Sequence, residues 1–178
     1  MIVKKGEHVM EVKEALLKRR SIRKFSSELV EDSVIDELIH AGMSGPSACN
    51  KMPWEFYVVT NMDTLQQLKK TTIFTKMDAP LAIIVCGNLE RTFPRKLAEY
   101  WVQDCSAATE NILLRATDLM LGAVWCGVYP QKKGVVRVQT LLEMPHNHIP
   151  LNIIFIGHPL ENKEPRDQYN EKYIHYIK

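Results

Sequence analysis

The chain is poor in the residues that carry covalent or metal chemistry. Its 178 residues include four cysteines, Cys49, Cys86, Cys105 and Cys126, with no pair at C-x-x-C spacing. That pattern offers no zinc ligand set and no redox dithiol. Eight glycines occur, yet none belongs to a G-x-G-x-x-G turn, a P-loop or a G-x-S-x-G elbow, and H-E-x-x-H is missing too. Long apolar runs are also absent. The richest stretch, residues 100–129, is broken by Asp104, Glu110, Arg115 and Asp118, so it does not read as a membrane span. Charge of one sign is not in excess. Twenty-three Lys and Arg against twenty-one Asp and Glu leave a net charge of +2, which gives no case for nucleic acid or an anionic membrane as partner. Residues 1–8 are polar, without the apolar run of a signal peptide. The expectation is a cytoplasmic protein whose thiols stay free.

The residues that are present pattern well. A hydrophobic share of 46% with 25% charged residues is that of an ordered globular chain, here one domain over residues 1–178. Val9, Val12, Leu16 and Leu17 give a helical stripe over residues 9–19, ending in a basic run. Glu31 and Asp32 suit the start of a second helix with Val34, Ile35, Leu38 and Ile39 on one face, broken by Gly42, Gly45 and Pro46. Strands are expected at residues 54–60, 81–86, 123–129 and 151–156. The second is a nearly continuous apolar run between Pro80 and Gly87, as in a strand buried on both faces. Helices fill residues 63–70, 98–121 and 134–142. The longest is apolar on more than one side, a mark of a core or interface helix. The polar tail, residues 161–178, spaces Tyr169, Tyr173 and Tyr176. The whole predicts an α+β domain on a mixed central sheet flanked by helices.

Two segments could hold a ligand. Lys18, Arg19, Arg20, Ser21, Ile22, Arg23 and Lys24 run consecutively. Arginine forks and a serine hydroxyl bind phosphate well, but cations at a helix end also suit its dipole. The loop from Gly45 through Pro46, Ser47, Ala48, Cys49 and Asn50 to Pro53 and Trp54 is built of small residues. It could approach a flat polar ring, or it could be an ordinary helix-to-strand turn. His146 and His148 flank Asn147 with no third ligand nearby and read as surface residues. Cys126 has no His or Asp partner at motif spacing and reads as a small buried side chain. No side chain stands out as a nucleophile or metal ligand, so an enzymatic role would rest on a cofactor.

In sequence order, these segments resemble the nitroreductase family of flavoproteins. Arg19-Arg20-Ser21-Ile22-Arg23-Lys24-Phe25 matches its R-R-S-x-R-x-F opening. Pro46-Ser47-Ala48-Cys49-Asn50 with Pro53-Trp54 resembles its P-S-x-x-N-x-Q-P-W loop, with Met52 where glutamine is usual. Asp104, Ala107, Ala108, Asn111 and Leu121-Gly122 resemble its central helix, and Ile156-Gly157-His158-Pro159 with Arg166 resembles its final strand and C-terminal arginine. The resemblance implies an intertwined homodimer with two FMN sites at its interface and residues 163–178 as a C-terminal arm. It places Arg19, Ser21, Arg23 and Arg166, with Arg20 beside them, around the FMN phosphate. Pro46, Ser47, Ala48 and Asn50 would line the ring from the partner chain. Backbone at Cys126 and Gly127 would face flavin N5. Arg23 or Lys24 would stabilise the reduced ring. The implied reaction is ping-pong: NADH or NADPH gives hydride to N5, and a nitroaromatic, quinone or similar small oxidant then takes it. No catalytic side chain and no metal are implied. Rival readings are a specialised relative that removes halogen reductively or fragments flavin, a non-catalytic flavin-binding protein, and a cofactor-free interaction protein.

Overall fold

The computed structural model describes residues 10–178. Val9, expected to begin the first helix, and the polar residues 1–8 lie outside the described residues. Helices α1 (Val12–Lys18) and α2 (Asp32–Met43) precede strand β1 (Trp54–Val59), followed by α3 (Met62–Leu68), β2 (Leu81–Asn88), α4 (Tyr100–Asp118), β3 (Gly122–Gly127), α5 (Lys132–Leu141) and β4 (His148–Gly157). The four strands form one sheet in the order β1-β2-β4-β3, every neighbour antiparallel. The parallel component of this α+β fold is an isolated bridge from Ser21 to Ala123 on the outer side of β3.

Alternation along the central strands divides the core in two. Leu81, Ile83, Val85, Ile154 and Ile156 face Leu38 of α2 and Ala108 and Ile112 of α4. Ala82, Ile84, Cys86, Ile153 and Phe155 face Leu65 and Leu68 of α3 and Val138 of α5. All eight residues of β2 are buried, as its continuous apolar run predicts. Fully burying each aliphatic chain is worth roughly 1.5–3 kcal/mol, which makes the β2–β4 pair the anchor of the domain.

Differences from the expected boundaries have physical causes. β2 runs past Gly87, because that glycine is not a terminator: a Cβ there would collide with the Trp101 ring of α4. Gly42 lies inside α2, tight against Ile112 and Phe56. α4 stops at Asp118 instead of 121. Met120 adopts φ 59°, and Leu121 N–H donates to Ala116 at 2.8 Å while Met120 N–H donates to Thr117 at 3.0 Å, a Schellman closure without glycine. β4 begins three residues before Leu151 and passes through Pro150. A register shift opposite Val85 and Cys86 absorbs the proline, which has no N–H for the ladder. The carbonyl of Leu151, the extra residue, accepts from Val128 and Tyr129 N–H at 2.9 and 3.1 Å.

α1 buries only Ala15; Val12 and Leu16 point outward, 72% and 54% exposed. The tail contributes a hydrogen bond from Arg166 N–H to Leu17 C=O at 3.0 Å. Beyond it Tyr169, Tyr173 and Tyr176 lie in solvent on this chain. No helix among the described residues is long and apolar enough to cross a membrane.

The fit of Trp101 over Gly87 is a testable feature. Gly87→Ala is expected to lower unfolding stability by at least about 2 kcal/mol through overpacking of a filled core. It should appear as a lower denaturant midpoint with the transition slope unchanged. A midpoint within error of the parent would contradict the packing described.

Candidate functional site

The basic segment reaches β3 through backbone bonds. Ile22 N–H donates to Ala123 C=O at 3.0 Å, Ser26 N–H to His158 C=O at 2.9 Å and Leu160 N–H to Lys24 C=O at 2.9 Å. Residues 21–26 therefore lie along the outer edge of β3 and the end of β4. Their side chains diverge. The Arg19 guanidinium pairs with Glu110 of α4 at 3.2 Å. Arg20 donates to the Glu164 carbonyl in the tail. The Ser21 carbonyl accepts from Lys163 Nζ at 2.5 Å and from Arg23 Nη1 at 3.3 Å. Glu161 holds the segment from the other side, accepting Arg23 N–H at 2.6 Å and pairing with Lys163 at 3.3 Å. These contacts, the Arg23 N–H first, hold the Glu161 carboxyl below its ordinary range. Arg166 joins the cluster through its backbone, at the end of α1.

Two cavities open beside this segment. One, of about 330 Å³, is lined by Lys18, Arg20 and Lys163 with Met120 and Gly122. The other, of about 490 Å³, brings Arg23 together with Phe74, Lys76, Cys126 and Gly127. A Cβ built on Gly127 would meet nothing within 4 Å. The chain itself thus sets no requirement for glycine there, and the backbone at the end of β3 faces open space.

The second wall of that cavity is a threonine-stapled turn. The Thr75 hydroxyl, fully buried, accepts Thr72 N–H at 3.2 Å. Thr72 Oγ1 accepts Phe74 N–H at 3.2 Å. The Cys126 thiol donates to Phe74 C=O at 3.2 Å and ties the turn to β3. Ile73 and Phe74 project outward from this rigid base, 73% and 52% exposed. Burial pushes the Cys126 thiol up to about 11, with the nearby Arg23 charge opposing the shift. Burial likewise carries Cys105 up to about 12, with Asp104 adding to it. Neither is a thiolate at neutral pH, which suits packing and hydrogen bonding rather than nucleophilic attack.

The loop at Pro46, Ser47, Ala48 and Asn50 stands elsewhere. It leads into β1, which is the opposite edge of the sheet from β3. Three strand spacings, roughly 14 Å, separate those edges. The buried Asp104 carboxylate accepts Ala48 N–H at 2.9 Å, and Ser47 Oγ accepts Met52 N–H at 2.9 Å. Cys49, Asn50 and Met52 hold φ values of 49°, 55° and 45°. Left-handed conformation costs roughly 1–2 kcal/mol per residue outside glycine, somewhat less for asparagine. Such concentrated strain marks a loop whose shape is over-determined by its anchors. One chain therefore brings Arg23, Cys126 and Gly127 together at one cavity and holds Arg20 and Ser21 at the start of β3, with Arg19 paired to α4 and the Arg166 backbone at the end of α1, while Pro46, Ser47, Ala48 and Asn50 lie on the loop that enters the other edge strand.

Sequence reasoning missed several of these parts. Lys163 carries no signal beyond lying three residues before Arg166. The wall of Phe74 and Lys76 was foreshadowed only by its clustered threonines. His148, read as a surface residue, is half-buried: its Nδ1 lies 2.6 Å from the Tyr57 hydroxyl, and its Nε2 lies 3.7 Å from Glu55. Burial, with Cys86 and Glu55 nearby, raises the Tyr57 phenol above its ordinary range.

Comparison with known proteins agrees with this architecture. A model of the nitroreductase family matches residues 16–73 and 67–158. A Methanothermobacter thermautotrophicus protein described as "Putative NADH dehydrogenase/NAD(P)H nitroreductase" is 43% identical over 173 residues, covering 95% of this chain and 88% of that protein. A Bacteroides thetaiotaomicron crystal structure of the same description is 39% identical with a TM-score of 0.87, over 93% of this chain and 96% of that one. The structure of an FMN-dependent nitroreductase from Clostridium difficile is 28% identical with a TM-score of 0.83, over 92% and 98% of the two chains. The chain belongs to the nitroreductase family.

The thiol environments predict a simple labelling pattern. Cys49 is exposed, whereas Cys86, Cys105 and Cys126 are buried. A maleimide at neutral pH should modify at most one thiol per native chain, Cys49, and all four after denaturation. Rapid modification of a second thiol in the native protein would contradict the buried, protonated state assigned to Cys126.

Proposed function

We propose that this nitroreductase-family protein is an FMN-dependent oxidoreductase, working as a homodimer that passes reducing equivalents from NADH or NADPH to a nitroaromatic, quinone or similar small oxidant. The observation that carries this reading is the open backbone at Gly127, facing a cavity that also holds the Arg23 guanidinium. The residues fit FMN. A dianionic phosphate suits the cavity lined by Lys18, Arg20 and Lys163, with Arg19, the Ser21 hydroxyl and Arg166 on the adjoining segments as further donors. The Arg19–Glu110 pair is partly exposed, and such pairs contribute only about 0–1 kcal/mol, so Arg19 can exchange Glu110 for phosphate at little cost. A flat ring suits the slot between Gly127 and the Phe74 turn.

Bound FMN would supply a two-electron centre at N5, the chemistry that no side chain of this protein provides. The protein's part is to bind, orient and exclude water. Arg23 offers positive charge to a ring that becomes more negative on reduction. Gly127 leaves space for close approach where any side chain would intrude. The Thr75-stapled turn fixes Phe74 as an apolar wall for a flat acceptor. Donor and acceptor compete for the same cavity, so they would bind in turn.

The wide separation of Gly127 from the Pro46–Asn50 loop favours a site completed by a second copy. The strained loop at the β1 edge would then cover the ring of the partner. A dimer would also remove from water the stripe of Val12 and Leu16 and the tail residues Tyr173 and Ile177, the last fully exposed on one chain. Residues 163–178 act in this reading as an arm that reaches the partner, with tyrosines suited to bury a ring and keep a wet hydroxyl. The four free thiols agree with a reducing, cytoplasmic setting.

The test combines spectroscopy and kinetics. The purified protein should be yellow, with about one FMN per chain. Gly127→Ala should weaken FMN binding while leaving the unfolding midpoint of the flavin-free protein unchanged, because only a ligand would meet the new methyl group. Arg23→Ala should weaken binding by roughly 1.5–3 kcal/mol if a charged hydrogen bond is lost. Double-reciprocal plots for donor and acceptor should be parallel. Colourless protein that cannot be loaded with FMN, or undiminished FMN affinity in Gly127→Ala, would sink this reading; intersecting lines would remove the shared-cavity mechanism.

A further inference from the structure

We propose that the Arg23–Gly127 cavity selects flat acceptors that carry an anionic group, a carboxylate on a nitroaromatic or quinone ring, and that Lys76 is the residue that sets this preference. The proposal rests on the flavin reading above and narrows the acceptor that reading leaves open. Lys76 lines the cavity together with Arg23, Phe74 and Gly127. Its backbone is fixed from both sides. The Thr75 hydroxyl lies 3.0 Å from Thr72 C=O and 3.2 Å from Lys69 C=O. Met77 N–H donates to Thr75 C=O at 2.8 Å, a three-residue turn with Lys76 at its apex. Thr75 and Met77 are buried, whereas Phe74 and Lys76 are exposed. The two exposed side chains therefore leave the chain outward and meet the same cavity. A flat ring resting on Phe74 has the Lys76 stem beside it.

The charge of this cavity is one-sided. Among the described residues its lining holds two cations, Arg23 and Lys76, and no carboxylate; Ile73, Met77 and Trp125 add apolar wall. The acid nearest to Lys76 in sequence, Asp78, is turned to other partners. Its carboxylate accepts from Lys69 Nζ at 2.7 Å and from Gln66 Nε2 at 2.8 Å. These bonds, that of Lys69 first, hold the Asp78 carboxyl below its ordinary range. Arg23 Nη1 donates to a neutral acceptor, the Ser21 carbonyl, at 3.3 Å. Among the described residues neither Lys76 nor the Arg23 guanidinium forms an ion pair with a carboxylate, whereas Lys69 does. Cations set against apolar walls attract an anion more strongly than the same charges in open water. In the flavin reading Arg23 serves the ring that gains electrons. Lys76 is left for the molecule that rests on Phe74. One ammonium beside an apolar wall matches a flat ring with one carboxylate at its edge.

The test compares ligands of the same shape that differ by one charge. Benzoate and benzamide, neither of which the flavin can reduce, are titrated into the flavin-loaded protein and followed by the visible difference spectrum of the flavin. KM and kcat are then measured for para-nitrobenzoate and para-nitrobenzamide. Benzoate is expected to bind at least about tenfold more tightly than benzamide, the scale of one charge-assisted hydrogen bond. The nitro compounds should differ by a similar factor in KM and far less in kcat. Lys76→Met should bring each pair to rough equality, and Lys76→Arg should keep the preference, with FMN content as in the parent for both variants. High salt should reduce the preference in the parent. Equal binding of benzoate and benzamide, or a full preference in Lys76→Met, would overturn the proposal and leave the flavin reading intact. Loss of FMN from Lys76→Met would overturn it as well, by assigning Lys76 to the flavin. Protein that takes up no flavin would sink both.

Discussion

The sheet has two faces and two edges, and the edges govern everything that bears on function. Both faces are closed within the chain, by α2 and α4 on one side and α3 and α5 on the other. The β3 edge is bridged at its start, Ala123, by the extended backbone of residues 21–26, which continues beside the segment after β4. That docking holds Arg20 at the start of β3 and brings Arg23 into the cavity that Gly127 lines at its end. Without the bonds to Ala123 and His158 the basic segment would be a solvated helix end. With them it is one wall of a cavity. The β1 edge receives no such strand among the described residues, and it is here that the Pro46–Asn50 loop arrives.

Energy is held at both edges in ways that a single chain does not repay. Cys49, Asn50 and Met52 keep left-handed backbone, stabilised by the Asp104 and Ser47 hydrogen bonds. Val12, Leu16, Tyr173 and Ile177 keep apolar surface in water. Cations collect at two cavities on the β3 edge. In the proposed dimer these costs are offset together: the loop meets a ring, the apolar stripes meet each other, and phosphate meets the cations.

Much of the fold was readable because periodicity is a local property. Leu81 to Cys86 reads as a doubly buried strand from its composition alone, and the strands at Trp54 and Ala123 follow from their β-branched and aromatic residues. What failed was punctuation. Gly87 and Gly42 look like terminators, but their missing side chains serve packing against Trp101 and Ile112, partners distant in sequence. Pro150 hides the first turn of β4 because a bulge that excuses it is visible only with β2 alongside. The Arg19–Arg23 segment and the Pro46–Asn50 loop were legible as candidates through family resemblance. Their separation to opposite sheet edges was not, since strand order is not written in either segment. Lys163 and the Phe74 turn went unseen because each acquires meaning only through a tertiary contact, with Ser21 and Cys126 respectively.

A site shared between two copies is tested most directly by complementation. An Arg23→Glu chain damages the β3 half of the site, and an Asn50→Trp chain damages the loop half. Each alone should bind FMN poorly. Mixed by co-refolding, random pairing under two-fold symmetry should place one undamaged site in every heterodimer, restoring FMN to about a quarter of all sites. Recovery near that fraction is the predicted result. No recovery in heterodimers shown to form, or full FMN binding by a monomeric chain, would contradict a site built from opposite edges of two sheets.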